Sequence, residues 1–232
     1  MIFFILITSY LSCAYYNTFF LTRKHFEKGF ESRKQDFYGK LENKEQSEYT
    51  QSLKKASFLF QFYKNSKWVD DALLIVGKIY YIRSDYFRAL TKFNELIENY
   101  PKSKLIHDAK IWKARTLIAV NDYSEAEIIL TELIKEEKNN EKVISESYFE
   151  LGNLFYEREL YSISNGYYIK SIKKPPKHIE YYTYYKTADT FMKLKQYQQA
   201  VKYFDLTLKH KKDRINEYDL RFEKAFALIE GG

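Results

Sequence analysis

The amino-acid sequence predicts an all-α fold built from antiparallel helix hairpins that follow one another along the chain. Two observations support this prediction. The 232 residues include only 7 glycines and 3 prolines, which is too few for a turn-rich β fold. Small residues also recur at a fixed spacing among large apolar ones, which is typical of a repeat architecture. An apolar fraction of 45% is enough for a continuous core.

The clearest internal repeat joins residues 63–72 (YKNSKWVDDA) and residues 100–109 (YPKSKLIHDA). Each segment ends one helix with a tyrosine and begins the next with a serine that can cap it. Extending the alignment gives four hairpin units, each with one small residue in its first helix and one in its second. The small residues of the four units are Gly77 and Ala89, Ala114 and Ala126, Gly152 and Ser164, and Ala188 and Ala200.

Small side chains at these positions let the two helices of a hairpin approach each other closely. Large apolar residues three or four positions later lie on the same helix face and fill the space beside the crossing. The distance between the two small residues is the same in every unit, because the hairpin turn sets it. The alternative is a generic helical bundle whose periodicity arises by chance.

This pattern resembles the tetratricopeptide repeat (TPR), with small residues at positions 8 and 20, large ones at 11 and 24, and proline near 32. The resemblance covers about residues 66–212 and implies a right-handed TPR superhelix, an α-solenoid of antiparallel helix hairpins. Pro101 and Pro176 stand at the proline position of the first and third units. The four units are predicted at about residues 66–102, 103–140, 141–176 and 177–212.

The segments outside the four units carry separate predictions. Residues 13–64 are predicted as a degenerate hairpin that caps the array. Residues 213–232 repeat the first-helix pattern, with Ala225 as the small residue and Leu228 three positions later. Half a hairpin at the end of a solenoid would expose an apolar face. We therefore expect a truncated repeat at this end and a sequence that is incomplete at its C-terminus.

The single cysteine, Cys13, follows an apolar stretch, residues 1–12, that has signal-peptide length and is too short to span a bilayer comfortably. An apolar run that ends in Ser12 and then Cys13 resembles the lipobox of bacterial lipoproteins, in which the signal is cut before an acylated cysteine. Tyr10 departs from that pattern, which usually has leucine there. The resemblance predicts a lipoprotein-type signal peptide at residues 1–12 and lipid attachment at Cys13. The alternative is an incidental or buried thiol.

Two short stretches, residues 13–20 (CAYYNTFF) and 65–72 (NSKWVDDA), resemble bacterial TPR lipoproteins of the BamD type. The resemblance implies a periplasm-facing, lipid-anchored protein of the outer membrane that helps a β-barrel insertase to receive and fold outer-membrane proteins. Ala14, directly after Cys13, agrees with outer-membrane sorting in such lipoproteins. Two alternatives stay open: an adaptor of another envelope complex (cell wall, secretion or gliding), and the docking module of a longer protein.

The TPR resemblance also implies a concave groove for proteins or peptides, lined by positions 5, 9 and 12 of each first helix. Carried onto this sequence, the groove residues are Leu74, Lys78, Tyr81, Ile111, Arg115, Ile118, Phe149, Asn153, Tyr156, Tyr185, Asp189 and Met192. Aromatic anchors between cations and an anion suit an extended or helical peptide. The alternative for each position is a packing role. Trp68, at a helix start, is either a partner hot spot or a packing staple.

No catalytic, metal or cofactor site is predicted. The four histidines are scattered along the chain without a zinc spacing, and no phosphate loop or nucleophile elbow is present. The net charge of +7 is carried by interleaved lysine and glutamate, which is typical of solvated helix faces. The basic runs at residues 23–25 and 209–212 match no nucleic-acid motif. The sequence therefore predicts a non-enzymatic scaffold that binds proteins and not nucleic acid.

Overall fold

The computed structural model describes residues 16–30, 43–137, 140–210 and 217–232, and every regular element within these ranges is an α-helix. The predicted all-α fold is therefore confirmed. Helix α1 covers residues 16–30. The helices that follow are α2 Asn43–Phe62, α3 Val69–Ile82, α4 Tyr86–Asn99, α5 Ile106–Ala119, α6 Tyr123–Glu136, α7 Glu141–Glu157, α8 Tyr161–Ser171, α9 Glu180–Lys193, α10 Tyr197–Lys209 and α11 Glu217–Gly231.

The chain divides into two compact units after Thr116, within α5. The small residues predicted at the hairpin crossings are buried in both units. They are Gly77, Ala89, Ala114, Ala126, Gly152, Ser164, Ala188 and Ala200. Their burial agrees with a core that runs along the seams between paired helices.

In the first unit, α3 and α4 pack so closely that only glycine fits at the crossing. A Cβ atom built at Gly77 would lie 2.4 Å from Cε1 of Phe93, well inside the contact distance of two carbon atoms. Phe93 and Ala89 are completely buried. The ring of Phe93 therefore occupies the space that any side chain at position 77 would need.

Helices α1 and α2 form a second close pair in the same unit. A Cβ atom at Gly29 would lie 2.7 Å from Cε1 of Tyr49, and the Ser52 hydroxyl donates a 2.8 Å hydrogen bond to the carbonyl oxygen of Thr22. Residue numbers fall along α1 as they rise along α2 in these contacts, so the two helices run antiparallel. The predicted capping hairpin corresponds to this pair, with residues 13–15 and 31–42 outside the described residues.

Trp68 is a packing residue of the first unit. Its indole stacks on the ring of Phe19 with centroids 4.8 Å apart, and the ring of Tyr16 meets it edge-on at 6.2 Å. The ammonium of Lys67 lies 4.9 Å from the indole centroid. Of the two interpretations of Trp68, the structure supports the staple, because the indole holds α1 against the start of α3.

In the second unit, α7 and α8 repeat the close crossing of α3 and α4. A Cβ atom at Gly152 would lie 2.4 Å from both Cδ1 and Cε1 of Tyr168. The Ser164 hydroxyl donates a 2.8 Å hydrogen bond to the Gly152 carbonyl oxygen. The small residue of α8 therefore bonds directly to the backbone of α7, which is possible only at this short separation.

Helix α11 packs on α10 through Leu220 and Ala227, which are both buried, and through a 2.6 Å ion pair between Lys224 and Asp205. Ala225 and Leu228, the residues aligned with the hairpin crossing, are exposed instead. In the preceding hairpin the equivalent face of α9 is covered by a second helix. Within the described residues no second helix covers this face of α11, and the expectation of a truncated repeat stays a prediction.

Two residues after the end of α3, α5, α7 and α9 comes a residue in the left-handed conformation: Ser84 (φ 58°), Asn121 (φ 63°), Glu159 (φ 59°) and Lys195 (φ 57°). The next amide donates to the carbonyl five residues back, as in the 2.9 Å bond from Leu160 to Phe155. This is the Schellman helix ending, which usually has glycine at the left-handed position. A side chain there crowds its own carbonyl and costs about 1–2 kcal/mol.

We expect Glu159→Gly to raise the free energy of unfolding by about 0.5–1 kcal/mol, because glycine removes this crowding and loses part of the gain through its greater freedom when unfolded. Thermal melting followed by circular dichroism measures the change. The control Glu157→Gly replaces an exposed residue in the last turn of α7 and should lower stability, since glycine is a poor helix former. A fall in stability for both variants would contradict the prediction.

Candidate partner-binding groove

In the second unit, hydrogen bonds join the first helices α7, α9 and α11. The Tyr156 hydroxyl donates to Oδ2 of Asp189 at 2.6 Å, and the Tyr185 hydroxyl donates to Oε1 of Glu223 at 3.4 Å. The ammonium of Lys186 lies 4.0 Å from the centroid of the Tyr156 ring. All five side chains are partly exposed. We call this surface (Tyr156, Tyr185, Lys186, Asp189 and Glu223) the tyrosine–carboxylate face.

The tyrosines of this face remain donors at every physiological pH. Burial raises the pKa of Tyr156 far above its usual range, and the Asp189 carboxylate that accepts its hydrogen bond acts in the same direction. Burial likewise raises the pKa of Tyr185, with a further contribution from the charge of Glu223. Both phenols therefore stay protonated and keep their bonds to the carboxylates.

The charged groups of the face are partly desolvated. Burial lowers the pKa of Lys186, and the nearby carboxylate of Asp189 opposes that shift. Burial raises the pKa of Glu223, and the negative charge of Asp189 adds to the rise. The ionised form of Glu223 is therefore less favourable in the folded protein than in water.

We expect Glu223→Gln to raise the melting temperature at pH 7. The folded-state pKa of Glu223 lies above its unfolded value of about 4.3, so ionised Glu223 costs stability above the folded pKa. The cost disappears as the pH falls to the unfolded pKa, and the difference between variant and parent should vanish near pH 4. Melting curves from pH 4 to pH 8 measure this difference in melting temperature. The exposed Glu230→Gln on the same helix is the control, and an equal shift there would contradict the prediction.

Four of the twelve predicted groove residues are buried: Leu74, Ile111, Ile118 and Phe149. Phe149 packs against Tyr168 with ring centroids 5.7 Å apart, which is a core contact. For these four positions the structure favours the packing alternative over an exposed groove. Met192 is partly exposed on α9.

Asn153 is partly exposed but is engaged within its own hairpin. Its amide Nδ2 donates to Oε2 of Glu150 at 3.0 Å, and its Oδ1 accepts a 2.8 Å bond from the Tyr168 hydroxyl. The Asn153 side chain therefore links Glu150 of α7 to Tyr168 of α8 beside the Gly152 crossing. Its predicted role toward a partner stays a prediction.

In the first unit, the predicted groove cations lie against a tryptophan. The Lys78 ammonium is 5.1 Å and the Arg115 guanidinium 4.2 Å from the Trp112 ring centroid, within the range of cation–π attraction. The ring of Tyr81 meets the same indole edge-on at 5.4 Å. The structure thus brings Lys78, Tyr81 and Arg115 together around Trp112, a residue the sequence reasoning did not select.

One repeat position holds three residues that contact the predicted groove residues but are not among them. Trp112, Lys186 and Glu223 each stand two residues before the small residue of their first helix, which is position 6 of the repeat. The prediction used positions 5, 9 and 12. The signal that could have found them is the presence of aromatic or charged residues two positions before the small residue of the first helix.

His25, His178 and His210 each contact a different carboxylate. His25 lies 2.6 Å from Glu48, and His178 lies 3.1 Å from Glu146. In the ranges covered by the structure, no group of three His, Cys, Asp or Glu residues is placed to hold a metal ion. No helix in those ranges has the length and apolarity needed to cross a membrane. Cys13, the predicted lipid attachment site, lies outside the described residues.

Comparison with known proteins identifies the repeat. The family model described as tetratricopeptide repeat matches residues 71–103, which contain most of α3 and α4, and residues 182–210, which contain most of α9 and α10. Two segments of the chain therefore carry the tetratricopeptide repeat. TPR proteins in general are non-enzymatic scaffolds that bind other proteins along extended surfaces, and this TPR protein is accordingly a protein-interaction scaffold.

Solved structures of other TPR proteins share the fold. A thermophilic TPR protein of Thermus thermophilus is 11% identical, with 90% of this chain and 99% of that chain covered and a TM-score of 0.62. MamA, residue 41 to the end, from Desulfovibrio magneticus RS-1 is 14% identical, with 86% and 98% covered and a TM-score of 0.55. At these identities the likeness shows the fold alone. None of the curated proteins matches the sequence.

Proposed function

We propose that this TPR protein is a lipid-anchored scaffold of the bacterial envelope that assists the assembly of outer-membrane proteins, as a BamD-like component. The observation that carries the binding role is the tyrosine–carboxylate face of the second unit. The envelope location and the lipid anchor rest on the sequence of residues 1–14. The assembly role rests on the short resemblance to the BamD type.

The tyrosine–carboxylate face is suited to holding a peptide. The phenols of Tyr156 and Tyr185 are held by carboxylates, so their rings are fixed before a partner arrives and lose little freedom on binding. Each phenol oxygen can still accept a hydrogen bond from a peptide amide. The carboxylates of Asp189 and Glu223 attract cationic side chains, while Lys186 offers a donor to an acidic one. These features favour recognition of an extended or helical segment.

A photocrosslinking amino acid at Tyr185 tests the groove. The full chain, produced in its bacterial host, should give adducts from position 185 and none from Ile128, an exposed position on α6. Mass spectrometry of the adduct identifies the partner. A β-barrel insertase or its clients would support the proposed role, and a cell-wall, secretion or gliding component would favour the adaptor alternative. Adducts from Ile128 alone would place the binding surface elsewhere.

Metabolic labelling with an azido fatty acid tests the anchor independently of the groove. The parent chain should be labelled and fractionate with the outer membrane, while Cys13→Ala should lose the label and the membrane association. The control Ser12→Ala keeps the cysteine and should remain labelled, because alanine is also a small residue before the cut. Absence of label in the parent chain would defeat the anchor and leave the protein-binding role untouched.

A further inference from the structure

Four aromatic side chains are exposed at one end of the α1–α2 hairpin: Tyr16 (54%), Phe20 (46%), Phe58 (46%) and Phe62 (58%). The two helices run antiparallel, so the first turns of α1 and the last turns of α2 lie at the same end. The rings of Phe58 and Phe62 contact each other with centroids 4.5 Å apart, and those of Tyr16 and Phe20 lie 6.4 Å apart. We call these four residues the aromatic end.

The aromatic end is also basic. No aspartate or glutamate occurs among residues 16–26 or 49–69, whereas lysine and glutamate are interleaved in most of the remaining chain. Lys54, Lys64 and Lys67 are exposed in this region. Arg23 of α1, by contrast, is already paired with Glu27 at 2.7 Å. The exposed lysines are therefore close to the exposed rings in sequence, and Asp71, an acidic residue whose charge also acts on Arg23, is partly buried.

We propose that the aromatic end contacts an anionic lipid surface. Amphipathic aromatic rings are enriched at the level of the lipid headgroups, and each lysine near such a surface adds about 1 kcal/mol of attraction to anionic lipids. A protein partner would have to match four exposed rings with a surface that is acidic throughout, whereas anionic headgroups present that charge uniformly. The occupant that fits both the rings and the charge is therefore a membrane surface.

The aromatic end lies close in sequence to Cys13, because α1 begins shortly after that residue. The contact would therefore add a reversible attachment beside the proposed lipid anchor. It would hold the capping hairpin against the membrane on which the acyl chains are anchored. Only described residues of α1, α2 and the following turn are needed for it. The contact is therefore independent of acylation at Cys13. Stable anchoring in general needs two such signals.

A fluorophore that responds to membrane insertion tests the contact. The full chain carrying Cys13→Ser, which removes both the acylation site and the native thiol, is labelled with NBD through Phe62→Cys. The matched control is Phe87→Cys, an 81% exposed phenylalanine on α4 of the same unit. On vesicles of phosphatidylcholine and phosphatidylglycerol (roughly 7:3, chosen for the surface charge), emission at position 62 should rise severalfold and shift to the blue. Emission at position 87 should stay unchanged.

Charge reversal distinguishes the contribution of the lysines from nonspecific adsorption to the vesicles. Lys64→Glu/Lys67→Glu should raise the lipid concentration for half-maximal signal at least about tenfold, since two favourable contacts are lost. The control Lys173→Glu/Lys177→Glu has the same net charge but changes exposed lysines of the second unit, and should leave the signal unchanged. The proposal would be overturned by equal fluorescence responses at positions 62 and 87. It would also be overturned by equal binding to neutral and anionic vesicles, or by equal effects of the two lysine pairs. A response at position 62 to soluble envelope proteins in place of lipid would do the same.

Discussion

Gly152→Leu is expected to lower the free energy of unfolding by about 3 kcal/mol, which corresponds to a fall in Tm of about 6–12 °C. Even the first carbon of the new side chain would lie 2.4 Å from two ring atoms of Tyr168. That ring cannot move aside easily, because Tyr168 is completely buried and its hydroxyl is bonded to Asn153. The helices α7 and α8 must therefore separate and lose the packing between them.

Gly166→Ala is the matched control, on α8 of the same hairpin. A Cβ atom at Gly166 would meet nothing within 4 Å, so alanine there should raise stability by about 1 kcal/mol through its helix propensity alone. The two substitutions are therefore expected to change the free energy of unfolding in opposite directions. Urea or thermal denaturation followed by circular dichroism measures both. Unchanged melting of the Gly152→Leu protein would remove the close-packing explanation of the repeat.

Asp189→Arg is expected to reduce partner capture at least about tenfold. Asp189 accepts the hydrogen bond of Tyr156, favours the charged form of Lys186 and contributes negative charge beside Glu223. Arginine cannot accept the phenol's hydrogen bond, repels Lys186 and reverses the charge at the centre of the face. Reversal of a charge inside an interface typically costs more than the roughly 1.4 kcal/mol that corresponds to tenfold. The yield of adduct from a photocrosslinker at Met192 measures the effect.

Asp205→Arg is the control for this prediction. Asp205 is exposed on the second helix α10 and pairs with Lys224 at 2.6 Å, so its reversal also breaks an ion pair but leaves the tyrosine–carboxylate face intact. Both variants should keep the helical circular dichroism of the parent chain. Undiminished adduct in Asp189→Arg, or an equal loss in Asp205→Arg, would show that this face is not where the partner binds.

The groove shows where sequence reasoning reached its limit. Lys78 and Arg115 were selected from their repeat position, but the sequence did not reveal that both would lie against Trp112. Position 5 was expected to face the groove, yet Leu74 and Ile111 are buried. A repeat position specifies the direction of a side chain relative to its own helix. Whether that direction leads to solvent depends on how closely the neighbouring hairpin lies.

The sequence alone determined the helical fold, the hairpin repeat and the residues at its crossings. Those features depend on local periodicity and on the volume of single side chains such as Gly77 and Gly152, which can be read without knowledge of distant residues. Only the tertiary structure decided that Tyr156 bonds to Asp189 and Tyr185 to Glu223. These outcomes depend on which helices lie side by side in three dimensions, and burial and pKa follow from that packing.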